Sequence, residues 1–275
     1  YKRQKLMLSD LDETLLVKHH VPEFNVEAIK AARKKGLKFV PATGRAYNMI
    51  PEILKEIDAY DQEGEYSICF NGALIVENKN NRILNFEGIS FETTKMLFEK
   101  ARDFDVCVLI FTIDMCYIYN ADPDEVQRKT DQKAPFVVID EYNMDDLKDE
   151  KIAKILYEKR DMPYLKSIEV EVSEMIEGKA CASYSSGRYL EFNAIGIDKG
   201  FGLRWLANYL GIDINETIAI GDNYNDVEMI KAAKLGVCVT CATDDIKELA
   251  QYVTEVDYDQ GAVKEVIEKF VLEAE

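Results

Sequence analysis

Basic residues are scarce in this chain relative to acidic ones. Lysine and arginine together number 34, aspartate and glutamate number 51, and the formal net charge is −17. A surface with this excess of negative charge repels phosphate backbones and anionic lipid headgroups. The composition therefore argues against nucleic acid and membrane surfaces as general partners. If the ligand is an anion, its binding site must supply its own cations.

Long apolar runs are absent as well. No stretch is apolar over the ~20 residues needed to span a bilayer, and no secretory signal pattern opens the chain. We therefore expect a cytoplasmic protein. Because the chain begins at Tyr1 and not at Met, we expect a few native residues to precede it. Internal repeats are also absent, and 275 residues suit one large domain or two small ones.

The cysteines are few and scattered. They stand at positions 69, 107, 116, 181, 238 and 241, mostly within apolar runs, as is typical of reduced thiols in a core. Cys238 and Cys241 form a CxxC pattern, but 235–242 is predicted to be a strand, in which positions three apart point to opposite faces. A zinc site would need two further ligands. We therefore predict that these thiols pack and do not bind a metal.

Strand and helix patterns alternate in the first and last thirds of the chain. Apolar runs at 5–9 and 37–42 alternate with helical periodicity at 24–35 and 46–58, and Gly36 is predicted to end the first helix. Repeated strand–helix units favour an α/β fold with a parallel sheet and right-handed crossovers. Between these thirds, the mixture of strand and helix patterns predicts a small α+β insertion.

Polar side chains stand where the predicted strands end. They are Asp10, Asp12, Thr43, Asn71 and Asp222. Because the carboxyl ends of parallel strands line one crevice, we expect these residues to converge. Carboxylates that are crowded together repel one another, so a hard cation such as Mg²⁺ is the natural neutraliser.

A lysine opens a predicted helix in Asp198-Lys199-Gly200. A cation at a helix start opposes the helix dipole. Its placement is explained if the ammonium of Lys199 reaches an anion in the same crevice.

Four segments, taken in order, resemble the four motifs of the haloacid dehalogenase superfamily. They are Asp10-Leu11-Asp12-Glu13-Thr14, Thr43-Gly44-Arg45, Lys199, and Gly221-Asp222 followed by Asn225-Asp226. The insertion, which follows Asn71-Gly72-Ala73, resembles the type IIB cap of the Cof-type phosphatases. The resemblance covers nearly the whole chain. It implies a Rossmann-like parallel-sheet core at 1–87 and 187–275, with an α+β cap domain at 88–186 that sets substrate specificity.

The resemblance also implies catalytic and metal-binding roles. Asp10 would be a nucleophile that forms an aspartyl-phosphate, and Asp12 would protonate the leaving oxygen and then activate water. Lys199 would bind phosphoryl oxygens and offset charge in the transition state. Mg²⁺ would be held by Asp10, the backbone carbonyl of Asp12 and Asp222, with Asp226 supporting these ligands.

The resemblance implies a further group that binds phosphate and substrate. Its members are Thr43, Gly44, Arg45, Asn71 and Asn225. Simpler interpretations stay open for four of them. Thr43 and Asn225 could cap helices, Arg45 could be a solvated surface residue, and Asn71 could be a turn residue.

The chain departs from the family pattern at two places. Glu13 stands where the family usually has glycine, so we expect its side chain to point away from the phosphate. Thr240-Cys241 replaces a frequent Gly-Asn pair after a late strand, which puts any substrate contact from that loop in doubt.

The resemblance implies a phosphatase that acts on small phosphate monoesters, such as sugar phosphates or related metabolites. Two alternatives stay open. A phosphomutase of the phosphomannomutase type would need a cluster of basic cap residues for a second phosphate, and no clear cluster is present. A non-catalytic regulator that binds phosphometabolites would tolerate the loss of Asp10 or Asp12, and both are present. No pattern predicts an oligomeric state.

Overall fold

The computed structural model describes residues 4–273, and the chain divides into two compact units. One unit comprises Tyr1–Phe86 and Ile197–Glu275, and the other comprises Glu87–Gly196. The strands are β1 (Leu6–Ser9), β2 (Lys38–Pro41), β3 (Tyr66–Cys69), β4 (Leu74–Glu77), β5 (Arg82–Phe86), β6 (Cys107–Thr112), β7 (Cys116–Tyr119), β8 (Phe136–Ile139), β9 (Ile152–Glu158), β10 (Ala180–Ser185), β11 (Tyr189–Ala194), β12 (Thr217–Gly221), β13 (Leu235–Cys238) and β14 (Tyr252–Val253). The α-helices are α1 (Glu23–Lys34), α2 (Pro51–Glu56), α3 (Phe91–Lys100), α4 (Pro123–Asp131), α5 (Met162–Ile176), α6 (Lys199–Tyr209), α7 (Val227–Ala232), α8 (Asp244–Lys247) and α9 (Ala262–Ile267).

A five-stranded parallel sheet forms the centre of the first unit, in the order β14-β13-β12-β1-β2. All four residues of β1 are buried, as the continuous apolar run predicts for a parallel strand covered on both faces. β1 and β12 are neighbours, with Ser9 opposite Ile220. The two strands therefore end side by side. The predicted α/β fold with a parallel core sheet is confirmed.

A small antiparallel sheet, β3-β4-β5, lies beyond the edge strand β2. It joins the parallel sheet through a bridge between Ala42 and Ile68, and the Thr43 N–H donates to the Ile68 carbonyl at 2.9 Å. This connection brings the end of β3 beside the end of β2. The turn after β3 therefore lies next to the turn that carries Thr43.

The first helix forms as its sequence predicts, whereas the second is shorter. α1 buries Val26 and Ile29, and Gly36 follows it with a φ of 86°, a left-handed conformation that glycine adopts without strain. The prediction of a single helix over 46–58 was wrong. A short 3₁₀ turn at Tyr47–Met49 precedes α2, which begins at Pro51 because proline lacks an N–H and is best accommodated in a first helical turn.

The second unit is built on a six-stranded sheet in the order β10-β11-β9-β6-β7-β8. Its pairs are antiparallel except for β7 and β8. α3 packs on β9, and α5 packs on β10 and β11. Leu165 and Val172 of α5 contribute to a core with Tyr157 and Phe192. This unit therefore has a hydrophobic centre of its own.

Two sequence-based boundaries need correction. The second division of the chain was expected after residue 186, but β11 pairs with β10 and β9 and so belongs to the second unit. Pairing keeps these residues with their sheet, and the division falls after Gly196. The strand predicted at 235–242 ends at Cys238. Beyond it, the Thr240 N–H donates to the side-chain hydroxyl of Thr254 at 3.1 Å and not to a neighbouring strand's backbone. In the described part of the chain, no helix is both long and apolar enough to cross a membrane.

Candidate active site

Two carboxylates lie at the ends of the two central strands. Asp10 follows β1 and Asp222 follows β12, and both are buried. The Asp10 N–H donates to the carbonyl of Ile220 at 3.0 Å, so the hydrogen bonds between the two parallel strands continue to Asp10 itself. The sheet itself therefore holds the two carboxylates together.

Lys199 provides a buried cation at this point. It is the first residue of α6, and its ammonium donates to Asp10 Oδ1 and, at 2.6 Å, to Asp226 Oδ1. Burial acts to lower the pKa of Lys199, but the two carboxylates outweigh it and raise the pKa above its ordinary value. Lys199 is therefore a permanent positive charge at neutral pH.

Asp226 links the lysine to the turn that carries Asp222. While Oδ1 accepts from Lys199, Oδ2 accepts from the backbone N–H groups of Asp222 and Asn223 at 3.1 and 3.0 Å. A Cβ atom at Gly221 would lie 2.4 Å from the Cγ of Asp226, so only glycine allows this approach. The Asp226 carboxylate thus holds the turn and the Lys199 ammonium at the same time.

Burial strongly perturbs the two carboxylates at the strand ends. It raises the pKa of Asp10 to about 7, an effect that Lys199 opposes and Asp226 reinforces. Burial likewise raises the pKa of Asp222 to about 8, with Asp10 and Asp226 adding to the shift. The Thr14 hydroxyl acts in the opposite direction by donating to Asp222 Oδ1 at 2.6 Å.

The donor set of this cluster fits a hard divalent cation. Asp10, Asp222 and Asp226 each offer a carboxylate oxygen, and these oxygens lie within 4.8 Å of one another. With Lys199 as their cation, the fully ionised cluster carries a net charge of −2, which a divalent ion would balance. Such ions prefer carboxylate oxygens. The predicted ligand set named Asp12 through its backbone, whereas geometry adds the Asp226 carboxylate.

The Asp12 side chain lies apart from this cluster. Its carboxylate is about half exposed and accepts from both prongs of the Arg45 guanidinium, from Nε at 3.0 Å and from Nη2. Arg45 therefore pairs with a predicted catalytic residue. The simpler interpretation of a solvated surface arginine does not describe this contact.

Most of the predicted phosphate-binding residues lie on two turns that contact each other, one after β2 and one after β3. The Asn71 N–H donates to the Thr43 carbonyl at 2.9 Å, and Asn71 Oδ1 accepts from Asn225 Nδ2 at 3.2 Å. Both Phe70 and Asn71 have left-handed backbones, with φ of 49° and 54°. A Cβ atom at Gly44 would lie 3.1 Å from Asn71 Oδ1, so the two turns pack closely. Thr43, Gly44, Asn71 and Asn225 are thereby brought together.

Comparison with known proteins identifies the family of this chain. The family model described as haloacid dehalogenase-like hydrolase matches residues 7–267. The chain belongs to this family. The predicted membership of the haloacid dehalogenase superfamily and of its Cof-type phosphatases is confirmed.

Individual relatives agree with this result over almost their full length. The Bacillus subtilis protein named "Putative phosphatase YxeH" is 30% identical and is aligned over 98% of each chain. Another B. subtilis protein, named 5-amino-6-(5-phospho-D-ribitylamino)uracil phosphatase YcsE, is 27% identical over 95% of this chain and 94% of its own. The crystal structure of a haloacid dehalogenase-like hydrolase from Bacteroides thetaiotaomicron superposes with a TM-score of 0.85 at 28% identity, covering 97% and 99% of the two chains. The chain is a phosphatase of this family.

The two departures from the haloacid dehalogenase pattern can now be placed. Glu13 has a φ of 58°, the left-handed region in which glycine is least strained, and its side chain is exposed. The Cys241 thiol contacts the Glu13 carbonyl, with Sγ at 3.7 Å from the oxygen. The loop that lacks the Gly-Asn pair therefore packs against the turn after the first motif.

Besides the pairing of Asp12 with Arg45, two further contacts of this haloacid dehalogenase-like site were not predicted. One is the bond from Thr14 to Asp222, which joins positions 208 residues apart in sequence. The other is the ion pair of Asp226 with Lys199, because Asp226 was expected only to support the metal ligands. The signal for the second was the glycine at 221, which has no side chain and so leaves room for a carboxylate. Sequence carries no comparable signal for the first.

Proposed function

We propose that this phosphatase hydrolyses small phosphate monoesters, such as sugar phosphates or related metabolites, through an aspartyl-phosphate on Asp10 with Mg²⁺ as cofactor. One observation carries the proposal. The Lys199 ammonium bridges the carboxylates of Asp10 and Asp226 beside Asp222, and all four side chains are buried. A candidate nucleophile, a buried cation and carboxylates that could hold a divalent ion thus meet at the carboxyl ends of β1 and β12, which supports the proposal.

The first step is the transfer of the phosphoryl group to the enzyme. A carboxylate oxygen of Asp10 attacks phosphorus, the bond from phosphorus to the leaving oxygen breaks, and Asp12 donates a proton to that oxygen. Lys199 fixes Asp10 Oδ1 and so orients the attacking carboxylate. The Lys199 ammonium, the Thr43 hydroxyl and the Asn225 amide are suited to hold the phosphoryl oxygens.

The second step returns the enzyme to its starting state. Water attacks phosphorus, the bond from phosphorus to Asp10 breaks, and Asp12 accepts the proton of the water. Asp10, Asp222 and Asp226, with the backbone carbonyl of Asp12, would hold Mg²⁺. When bound, Mg²⁺ neutralises the carboxylates and stabilises the negative charge of the phosphoryl group.

We also propose that the unit Glu87–Gly196 sets substrate specificity. The resemblance to the Cof-type cap supports this role. The unit also buries charged side chains, some of which pair with one another, Lys154 with Glu191 at 2.6 Å and Lys129 with Glu125 at 3.2 Å. The buried charged side chains are Glu125, Lys129, Lys154, Glu158 and Glu191. A small phosphorylated metabolite is the expected substrate, which agrees with the phosphorylated ribityl compound named for one relative.

The decisive activity test uses an aryl phosphate with and without Mg²⁺, in the wild type and in Asp10→Asn. We expect Mg²⁺-dependent turnover that the substitution reduces at least about 10³-fold, because the nucleophile is lost. Turnover without a sugar acceptor separates a phosphatase from a phosphomutase. Activity that persists in Asp10→Asn would mean that another group is the nucleophile.

A further inference from the structure

Asp12 and Arg45 form an ion pair that none of the roles above uses. Nε of Arg45 donates to Oδ2 of Asp12 at 3.0 Å, and Nη2 donates to Oδ1. A guanidinium is planar and rigid, so a two-pronged contact sets the plane of the carboxylate as well as its position. A lysine at this position could supply the charge but not the fork.

The main chain of Arg45 is fixed on both sides of its side chain. Its N–H donates to the Thr43 hydroxyl at 3.1 Å, and its carbonyl accepts from the Phe70 N–H at 3.1 Å. The guanidinium therefore extends from a backbone that the turns after β2 and β3 already hold. The scaffold thus fixes the Cα from which the fork extends, and the low exposure of the Arg45 side chain, 23%, limits its alternative conformations.

Asp12, in contrast, has little to hold its side chain besides Arg45. The Asp12 side chain is 54% exposed, while that of Arg45 is 23% exposed. An aspartate with this exposure rotates among several staggered positions unless a partner selects one. Arg45 is the cation with which Asp12 pairs within residues 4–273.

We propose that Arg45 is a positioning residue for Asp12 and not a phosphate-binding residue. Its fork holds the Asp12 carboxylate in the orientation from which protons pass to the leaving oxygen and from the attacking water. This inference rests on the proposed function, since it requires Asp12 to be the proton-transfer group. It replaces the substrate contact that the family resemblance implied for Arg45.

The two steps of the reaction respond differently when Asp12 is misplaced. In the first, the Asp10–phosphorus bond forms, the bond to the leaving oxygen breaks, and the Asp12 proton goes to that oxygen. A dinitrophenolate leaves without a proton, whereas an alkoxide does not. In the second step, water always gives its proton to Asp12. A misplaced Asp12 therefore slows both steps for alkyl phosphates but only the second step for dinitrophenyl phosphate.

The test compares Arg45→Lys and Arg45→Gln with Arg82→Lys as a matched control. Arg82 also donates through Nε and Nη2 to one carboxylate, that of Glu77, but lies outside the site. With dinitrophenyl phosphate, we expect the Arg45 variants to keep the rate of the initial burst within about threefold. Steady-state kcat should fall about 10–100-fold, as misplaced catalytic groups typically cause. Because kcat/KM reports only the steps through phosphorylation, it should change by less than about threefold, so KM should fall in parallel with kcat. Arg82→Lys should match the wild type.

An alkyl phosphate and a double variant complete the test. Single-turnover phosphorylation by the alkyl phosphate should slow about 10–100-fold in Arg45→Lys. In an Asp12→Asn background, Arg45→Lys should cost less than about threefold more, because the two residues act as one unit.

The proposal is overturned if the Arg45 variants raise KM for both substrates and weaken inhibition by inorganic phosphate, while Arg45→Lys lowers kcat as much in the Asp12→Asn background as in the wild type. That pattern would assign Arg45 to the phosphate. Unchanged kinetics in both Arg45 variants would also overturn it. The proposed function fails separately, through persistent activity in Asp10→Asn, so the two failures are distinguishable.

Discussion

At the scale of single residues, the site depends on polar groups that hold the acidic side chains in place. Lys199 and Asp226 are both fully buried, and each satisfies the other. Removing one member of a buried pair strands the partner's charge, which typically costs about 3–5 kcal/mol. A hydrophobic pair could fill the same space without that cost, but it could not hold Asp10 Oδ1 as the Lys199 ammonium does.

Thr14 provides a test of how one hydroxyl affects metal binding. Thr14→Val keeps the shape of the side chain but removes the donor to Asp222 Oδ1, so Asp222 loses its orienting bond. We expect Mg²⁺ affinity to fall about 10–100-fold, the usual effect of removing a group that orients a metal ligand. Isothermal titration of Mg²⁺ into the metal-free protein measures this.

Thr217→Val is the matched control for Thr14→Val. Its buried hydroxyl donates to the Ile214 carbonyl at 2.7 Å and accepts from the Lys234 N–H at 3.3 Å, away from the acidic cluster. This variant should lose about 1–3 kcal/mol of stability and keep its Mg²⁺ affinity. Equal Mg²⁺ affinity in both variants would remove Thr14 from the metal site.

The raised pKa values of Asp10 and Asp222 predict how pH acts on the metal-free protein. Both folded values, about 7 and about 8, lie above the ordinary value of an aspartate near 4. The folded state therefore holds protons that the unfolded state has released, so the stability contributed by these two groups is highest below about pH 4 and falls until about pH 8. Mg²⁺ requires ionised ligands, so its stabilising effect should grow over the same interval.

Thermal unfolding at about pH 5 and about pH 8, with and without Mg²⁺, measures this effect. We expect Mg²⁺ to raise the midpoint by several degrees more at the higher pH. Asp222→Asn is the control, because an amide cannot ionise and should flatten part of the pH dependence. A Mg²⁺ effect that is equal at both pH values would contradict the assignment of these carboxylates as ligands.

At the scale of elements, the ends of the strands were predictable because each strand is an apolar run that stops at a polar residue. The ends of β1, β2 and β12 were located from sequence, and the parallel order explains why Asp10 and Asp222 meet. The shortening of α2 and the placement of β11 were not predicted. Local pattern decides that a strand exists, but pairing with distant segments decides which sheet it joins.

The turn after β12 gives a prediction at this scale. In Gly221→Ala, the new Cβ would lie 2.4 Å from Asp226 Cγ, so Asp226 must move away from Lys199 and from the Asp222 N–H. We expect a loss of about 1–3 kcal/mol of stability from overpacking and about 10²-fold in kcat. Urea denaturation and steady-state kinetics measure the two effects.

Gly36→Ala separates a local effect from general destabilisation. Gly36 ends α1 with a φ of 86°, and a Cβ added there would meet no atom within 4 Å. This variant should lose about 1 kcal/mol through backbone strain and keep its kcat. A comparable loss of kcat in both variants would show that activity follows overall stability and not the position of Asp226.

At the scale of the whole molecule, order along the chain is what made the family recognisable. Asp10, Thr43, Lys199 and Asp222 come from segments separated by up to about two hundred positions, and the sheet unites them. Their convergence followed from the α/β topology. The pairing of Asp12 with Arg45 did not, because side-chain orientation depends on the packing of turns that local sequence does not determine.

The most direct test of the proposed chemistry is to trap the phosphoryl group on the enzyme. The protein is mixed with Mg²⁺ and excess dinitrophenyl phosphate, quenched in acid within the first turnover, digested and examined by mass spectrometry. We expect one phosphoryl group on the peptide that contains Asp10, and none in Asp10→Asn. A phosphoryl group on another residue, or turnover of the wild type with no phosphorylated peptide at any quench time, would contradict nucleophilic attack by Asp10.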